Sequence, residues 1–318
     1  MPERYAINKI DIFHNLYIIL MSDKTNTNNQ RGIAHRFPAD ARREGAGTHI
    51  TRWFVPTDYA LTDPFLLFDE TKSDKIEEYA SGFPEHPHRG FEALTYIING
   101  TLRHKDSAGY SGFVGPCGAQ WLTNASGLTH DEVPDQTEGM FWCMQLWINL
   151  PAENKSDTPF YEEIKGEQVP VLTLGSGSEV RVVAGQFENI DGLLPSRARP
   201  SRPVYLDVVI NAQGEFNYTP PEAYTVLIFV VEGQITINGD DKAEVGETLL
   251  LAREGSLEVQ TNLGARLLLM AGRPINEKIA WHGPFVMNNE SELKKAFADF
   301  LKFGPFQPDT GTGIDNTE

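Results

Sequence analysis

Two short segments concentrate the residues able to bind a metal. They are His86 and His88 in Glu85-His-Pro-His-Arg-Gly-Phe-Glu92, and His130 and Glu132 in Gly127-Leu-Thr-His-Asp-Glu-Val-Pro134. In an extended strand residues two apart share a face, so each pair presents two donors to one side. The segments lie 130 − 86 = 44 residues apart, room for two or three intervening strands. If both pairs face one interior, three imidazoles and a carboxylate converge, a set suited to Fe, Mn, Ni, Cu or Zn rather than Ca or Mg. Four protein ligands on an octahedral ion leave two adjacent positions for a substrate and dioxygen. A His-x-His by itself is more often a surface or hydrogen-bonded pair; the added His-x-Glu tips the reading to a metal. Glu92 shares parity with His86 and His88. It therefore stands as the fourth ligand in place of Glu132, as a nearby base, or as a salt-bridge partner of Arg89. His104, in Arg103-His-Lys-Asp-Ser107, sits beside a turn and reads as structural.

Strands must position these groups. From about Thr51 the chain runs in short apolar or alternating stretches broken by Gly, Pro, Asn and Asp. Ala93 to Ile98 precedes Asn99-Gly100, and Val226 to Val231 precedes Glu232-Gly233. Gln234 to Ile237 precedes Asn238-Gly239, and Arg266 to Met270 precedes Ala271-Gly272. Such runs predict strands joined by hairpins, with the spacing of a sandwich or barrel. A helix is expected only near the end, where Leu293, Ala296, Phe297, Phe300 and Leu301 recur at helical spacing and Ser291 can cap it. A weaker helix is expected over Ser73 to Ala80. Each half carries a strand, a Gly-containing hairpin and another strand, around Tyr96–Leu102 and Phe229–Ile235, which suggests a duplicated β-barrel. The boundary falls in the polar, turn-rich stretch 151–170. Seven of the eight histidines precede residue 131.

Charge narrows the partners. With 27 Lys and Arg against 44 Asp and Glu the net charge is −17, which excludes a general nucleic-acid binder, since phosphate contacts need a basic patch. Hydrophobic residues make 40% and charged residues 22%, a globular mix. A chain of this length buries about three quarters of its unfolded surface and needs no metal or disulfide to fold. Two cysteines, Cys117 and Cys143, give no disulfide framework and fit a reducing compartment. No run of 18 apolar residues is present, so no membrane span is expected. Phe13 to Leu20 is short and lacks a following small-residue cleavage site, which argues against a signal peptide. Residues 1–20 read as an upstream extension before a native start at Met21, or as an extra surface strand or helix. No basic cluster for nuclear targeting occurs, and a cytoplasmic setting is expected.

His86-Pro-His-Arg-Gly-Phe-Glu92 resembles the signature of the pirin family within the cupin superfamily. The likeness continues through Gln120-Trp121-Leu-Thr123, Gly127-Leu-Thr-His130 with Glu132, and Gln145-Leu-Trp-Ile-Asn-Leu150. In the second half it includes Tyr205-Leu-Asp207, Glu232-Gly233 and Trp281-His-Gly-Pro-Phe-Val-Met-Asn288. It spans about residues 40–303. The resemblance implies an all-β fold of two cupin (jelly-roll) β-barrels packed face to face, with a short C-terminal helix. Residues 1–35 would form a flexible or extra segment, 36–160 the metal-binding barrel, and 161–318 a metal-free barrel with the helix. It assigns the ligands to His86, His88, His130 and Glu132, favouring Glu132 over Glu92, and Fe(II) as the ion, with Mn, Ni, Cu, Zn or Co as substitutes.

The implied activity is that of a quercetin 2,3-dioxygenase. A flavonol or related enol, the small aromatic partner, would be opened by O2 with release of carbon monoxide, and Glu132 or Glu92 would accept the enol proton. The alternative is an iron-dependent redox sensor that binds a protein partner without turnover. Two departures are visible: Pro116-Cys-Gly-Ala119 stands where the family has Pro-Gly-Asp, and Asn124-Ala-Ser-Gly127 where it has Ala-Gly-Arg-Gly. The missing arginine lies near the third imidazole in sequence and bears on access and substrate preference.

Overall fold

In the computed structural model, residues 30–303 apart from 176 and 196–198 are described. The alternative start at Met21 and the segment 1–20 lie outside them.

Antiparallel sheets build both halves. In the first, a seven-stranded sheet runs in the order Phe160–Ile164, Ala119–Thr123, Phe91–Asn99, Phe141–Asn149, Phe65–Ser73, Thr48–Phe54 and Asp40–Glu44. A four-stranded sheet in the order Phe83–His88, Leu128–Pro134, Leu102–Asp106 and Ser111–Val114 completes that half. In the second, the main path places Thr225–Ile237 and Ala265–Gly272 at its centre. Glu215–Tyr218 pairs with Leu257–Gln260 beside it. The opening strand Ile33–Phe37 pairs with Thr248–Leu251 of the second half.

The central strand of the first half is buried on both faces, which is why Phe91–Asn99 reads as a nearly unbroken apolar run. Leu94, Tyr96 and Ile98 point to the second half and share a core with Trp53, Phe68, Phe229, Leu268 and Met270. Trp53 and Phe229 meet at 4.8 Å between ring centroids. The same interface holds a polar node: the Tyr96 hydroxyl donates to Asp207 Oδ2 at 2.6 Å, and Arg266 grips that carboxylate through two bonds of 2.8 Å. On the opposite face, Phe91, Ala93 and Leu122 line the interior of the first half.

Two expected hairpins are corners instead. Asn99-Gly100 carries the chain out of the seven-stranded sheet into Leu102–Asp106, which pairs with Leu128–Pro134 and Ser111–Val114. Glu232-Gly233 lies inside one bent strand, Thr225–Ile237, that pairs with different partners before and after it. Gly233 has φ +77, and a Cβ there would meet the Gly264 carbonyl, so the bend needs glycine. Asn238-Gly239 is a true hairpin turn, both residues at positive φ. The C-terminal helix spans Glu290–Phe303 and is capped by Asn289, whose Oδ1 accepts from Glu292 N at 3.0 Å, rather than by Ser291. Only Ile76–Tyr79 is α-helical in the stretch Ser73 to Ala80, because the preceding strand continues to Ser73.

Candidate metal centre

His86 and His88 lie on Phe83–His88, and His130 on the neighbouring Leu128–Pro134, with His86 opposite His130 in register. The donor atoms of His86, His88 and His130 all lie within 4.8 Å of one another, and those of His104, His130 and Glu132 do likewise. His130 is shared by the two groups, so five donor residues surround one small volume.

The tautomers are set from outside. His86 Nδ1 faces the Pro84 carbonyl at 2.9 Å and His88 Nδ1 the Pro284 carbonyl at 3.4 Å. A carbonyl only accepts, so each Nδ1 carries the proton and each Nε2 lone pair is left to the centre, where the two Nε2 atoms stand 3.1 Å apart. Both ring nitrogens of His130 are buried and lack a hydrogen-bond partner. Burial, reinforced by the neighbouring imidazoles, holds His88 and His130 well below the usual imidazole range, so both are neutral and able to donate lone pairs. Unpartnered buried nitrogens are costly in a folded chain unless something binds there. The donor set fits a divalent first-row ion.

Glu132 is held in place by two amides. Gln120 Nε2 donates to its Oε1, and Gln145 Nε2 to its Oε2 at 3.0 Å. Both glutamines lie on the interior-facing side of their strands, and each is oriented in turn. Gln120 Nε2 also donates to Thr95 Oγ1 at 3.4 Å, and the Trp147 indole donates to Gln145 Oε1 at 3.2 Å. An enclosed cavity of about 20 Å³, room for about one water, is lined by Glu132, Gln145, Thr95 and Cys143. His88, His130 and Glu132 are buried; His86 is half-exposed, so the centre opens on its side.

Glu92 takes the salt-bridge option with a different arginine. Gly90, at φ +90, breaks the strand between His88 and Phe91, and parity counted across the break fails. Beyond it Glu92 shares a face with Leu94 and Tyr96 and points towards the second half. There Arg199 Nε lies 2.8 Å from its Oε1, and Thr123 Oγ1 donates to the same oxygen at 2.8 Å. Burial raises the Glu92 carboxyl, with Arg199 opposing the shift.

His104, for which a structural role is expected, also stands near the cluster, its ring 5.4 Å from that of His130. Its Nε2 is tied to Asp106 at 3.1 Å and its ring stacks on Tyr161 at 4.3 Å. The alternation of Leu102, His104 and Asp106 on the buried face was the available signal. Spacing along the chain does not pick out Gln120, Gln145 or Arg199; the two glutamines open stretches whose family likeness is visible in sequence.

The second half braces the His-x-His loop. Arg89 N donates to Pro284 O at 3.3 Å and Val286 N to Arg89 O at 3.0 Å. Arg89 also pairs with Asp299 of the C-terminal helix at 2.9 Å. Lys155, buried, donates to Gly90 O at 2.6 Å, Asn149 Oδ1 at 2.7 Å and Val286 O at 3.0 Å.

Comparison with known proteins places both halves in one family. The pirin family model matches residues 47–148, and the pirin C-terminal cupin domain model matches 205–305. A pirin-like protein of Caulobacter vibrioides is 37% identical over 260 residues, 81% of this chain and 93% of its own. The crystal structure of a quercetin 2,3-dioxygenase from Acinetobacter baumannii superposes with a TM-score of 0.79 at 29% identity, covering 87% of this chain and 99% of that one. An Escherichia coli pirin solved in complex with nickel(II) shares the fold, with a TM-score of 0.59 at 21% identity over 76% of this chain and 99% of its own. Matched in both halves, this chain belongs to the pirin family, with two cupin domains of which the first carries the histidine cluster.

Proposed function

We propose that the protein holds one first-row metal ion, Fe(II) in the working state, through His86, His88, His130 and Glu132, and acts as a dioxygenase on a flavonol or related enol. The first domain, 36–160, is the metal-binding unit and 161–318 binds no metal. The observation that carries the reading is that both ring nitrogens of buried, neutral His130 lack partners and lie among the donor atoms of His86, His88 and Glu132. The ion would supply a Lewis acid for a vicinal hydroxyl–carbonyl pair and a redox partner for dioxygen.

The chain's own residues do the rest. His86 marks the open side by which a planar substrate enters. Glu132, the carboxylate within the donor cluster, accepts the enol proton, while Gln120 and Gln145 fix its orientation and stabilise its charge. Trp147 and Phe91, stacked at 4.1 Å beside His88, form an apolar wall that keeps water from its imidazole. Glu92, tied to Arg199, positions the strand that follows the His-x-His loop. Two free thiols fit the cytoplasm as the working compartment.

The test is loss of quercetin in air by the Fe(II)-loaded protein, with carbon monoxide release and an anaerobic control. Turnover that depends on both oxygen and His88 supports the reading. Full metal occupancy without quercetin loss, for each first-row ion, would overturn it.

A further inference from the structure

The two domains place a short antiparallel strand pair at corresponding points. In the first, Phe83–His88 pairs with Leu128–Pro134 and carries the imidazoles. In the second, Glu215–Tyr218 pairs with Leu257–Gln260, and in each pair one strand precedes and the other follows a long central strand, Phe91–Asn99 or Thr225–Ile237. Where the first domain has donors, the second has Phe216, Leu257 and Val259, all buried in its apolar core. At the end of that strand pair lies a cavity of about 790 Å³, within the range that holds small organic ligands.

Its lining has a consistent chemistry. Phe187 and Tyr218 supply an aromatic wall backed by Phe216, with Phe187 and Phe216 stacked at 5.5 Å. Arg199 and Arg202 line the same space. Arg202 is exposed and has no carboxylate within ion-pair distance among the described residues, whereas Arg199 is neutralised by Glu92. Behind the cavity Arg31 is fully buried and held by the carbonyls of Tyr224, Gly255 and Pro221 at 2.8, 2.9 and 3.4 Å. It too lacks a carboxylate partner at ion-pair distance among the described residues. Its N–H groups are spent on those carbonyls and Glu254 lends it a nearby negative charge, so the guanidinium open to an incoming anion is that of Arg202 on the lining. Burial pushes the Tyr218 phenol up to about 12, so it remains a hydrogen-bond donor at neutral pH. Glu188 and Asp191 stand on the exposed rim, where Asp191 accepts from Gln186 at 3.0 Å.

We propose that this mouth of the second domain is a metal-independent binding site for a planar aromatic carboxylate, with the ring against Phe187 and Tyr218 and the carboxylate on Arg202. The cavity is several times too large for a bare phosphate. The aromatic wall and the unpaired guanidinium together select a ligand carrying both features.

The test uses full-length protein stripped of metal by chelation, with trans-cinnamate as the probe and cinnamyl alcohol as the uncharged control. Binding is measured by calorimetry and mapped by amide chemical shifts. Cinnamate should bind one per chain, with shifts at residues 186–188, 202 and 217–218, and the alcohol should bind at least about tenfold more weakly. Arg202→Glu should weaken cinnamate by at least about tenfold while Arg202→Lys retains part of the affinity. His88→Ala should leave it unchanged, which separates this site from the metal centre. No saturable binding, equal affinity for the alcohol, indifference to Arg202→Glu, or loss with His88→Ala would each overturn the proposal.

Discussion

At the residue scale the proposed centre would depend on neutral His88 and His130 and on one oriented carboxylate. His88→Ala and His130→Ala are each expected to lose most bound metal while the far-ultraviolet circular dichroism stays that of the wild type, because the ligands' energy is local and both domains have apolar cores of their own. Joint loss of metal and fold would make the site structural. Glu132 and Glu92 separate in the same assay. Glu132→Gln should weaken metal affinity by at least about tenfold, a neutral amide being the poorer donor. Glu92→Gln should keep the metal and instead lower stability by about 3 kcal/mol, since it strips Arg199, only 10% exposed, of its counter-charge. Metal lost from Glu92→Gln but kept by Glu132→Gln would reverse these roles.

At the scale of elements, the loop after His88 is clamped by the hairpin at 280–287 and by Lys155. A Cβ on Gly90 would sit 1.9 Å from the Val286 carbonyl, at φ +90. Gly90→Ala is therefore expected to cost about 3 kcal/mol or more and to lower metal affinity by displacing His88; unchanged melting would show that the hairpin yields freely. Lys155 gives a pH signature. Burial lowers its amine from 10.5 to about 7. Between those values the unfolded chain holds a proton that the folded chain releases, so this contribution to stability grows as pH rises through the window and is at its least below pH 7. Relative to Lys155→Met, the wild type should gain up to about 1.4 kcal/mol per pH unit there, read from urea midpoints. A flat or falling difference would mean that the three acceptors keep the ammonium charged in the fold.

At the scale of the whole molecule, one apolar cluster belongs to both domains, with Phe229 of the second seated against Trp53 and Phe68 of the first. The domains should therefore unfold together, with circular dichroism and tryptophan fluorescence tracing a single urea transition; two separated transitions would deny the shared core. What was legible in sequence was local: the donor pairs, strand-length apolar runs, the Asn238-Gly239 turn and the periodic terminal helix all follow from side-chain spacing within one segment. The candidate ligands were legible for the same reason, each pair lying within one strand. Tertiary structure alone decided which way Glu92 points, because the chain turns at Gly90 and the facing surface is supplied by the other domain. It decided that Asn99-Gly100 and Glu232-Gly233 are corners, since a glycine that bends a strand between sheets has the same local signature as one that closes a hairpin. And it brought His104, Gln120 and Gln145 to the centre, through strand neighbours distant in sequence, where spacing along the chain carries no information about which side chains meet.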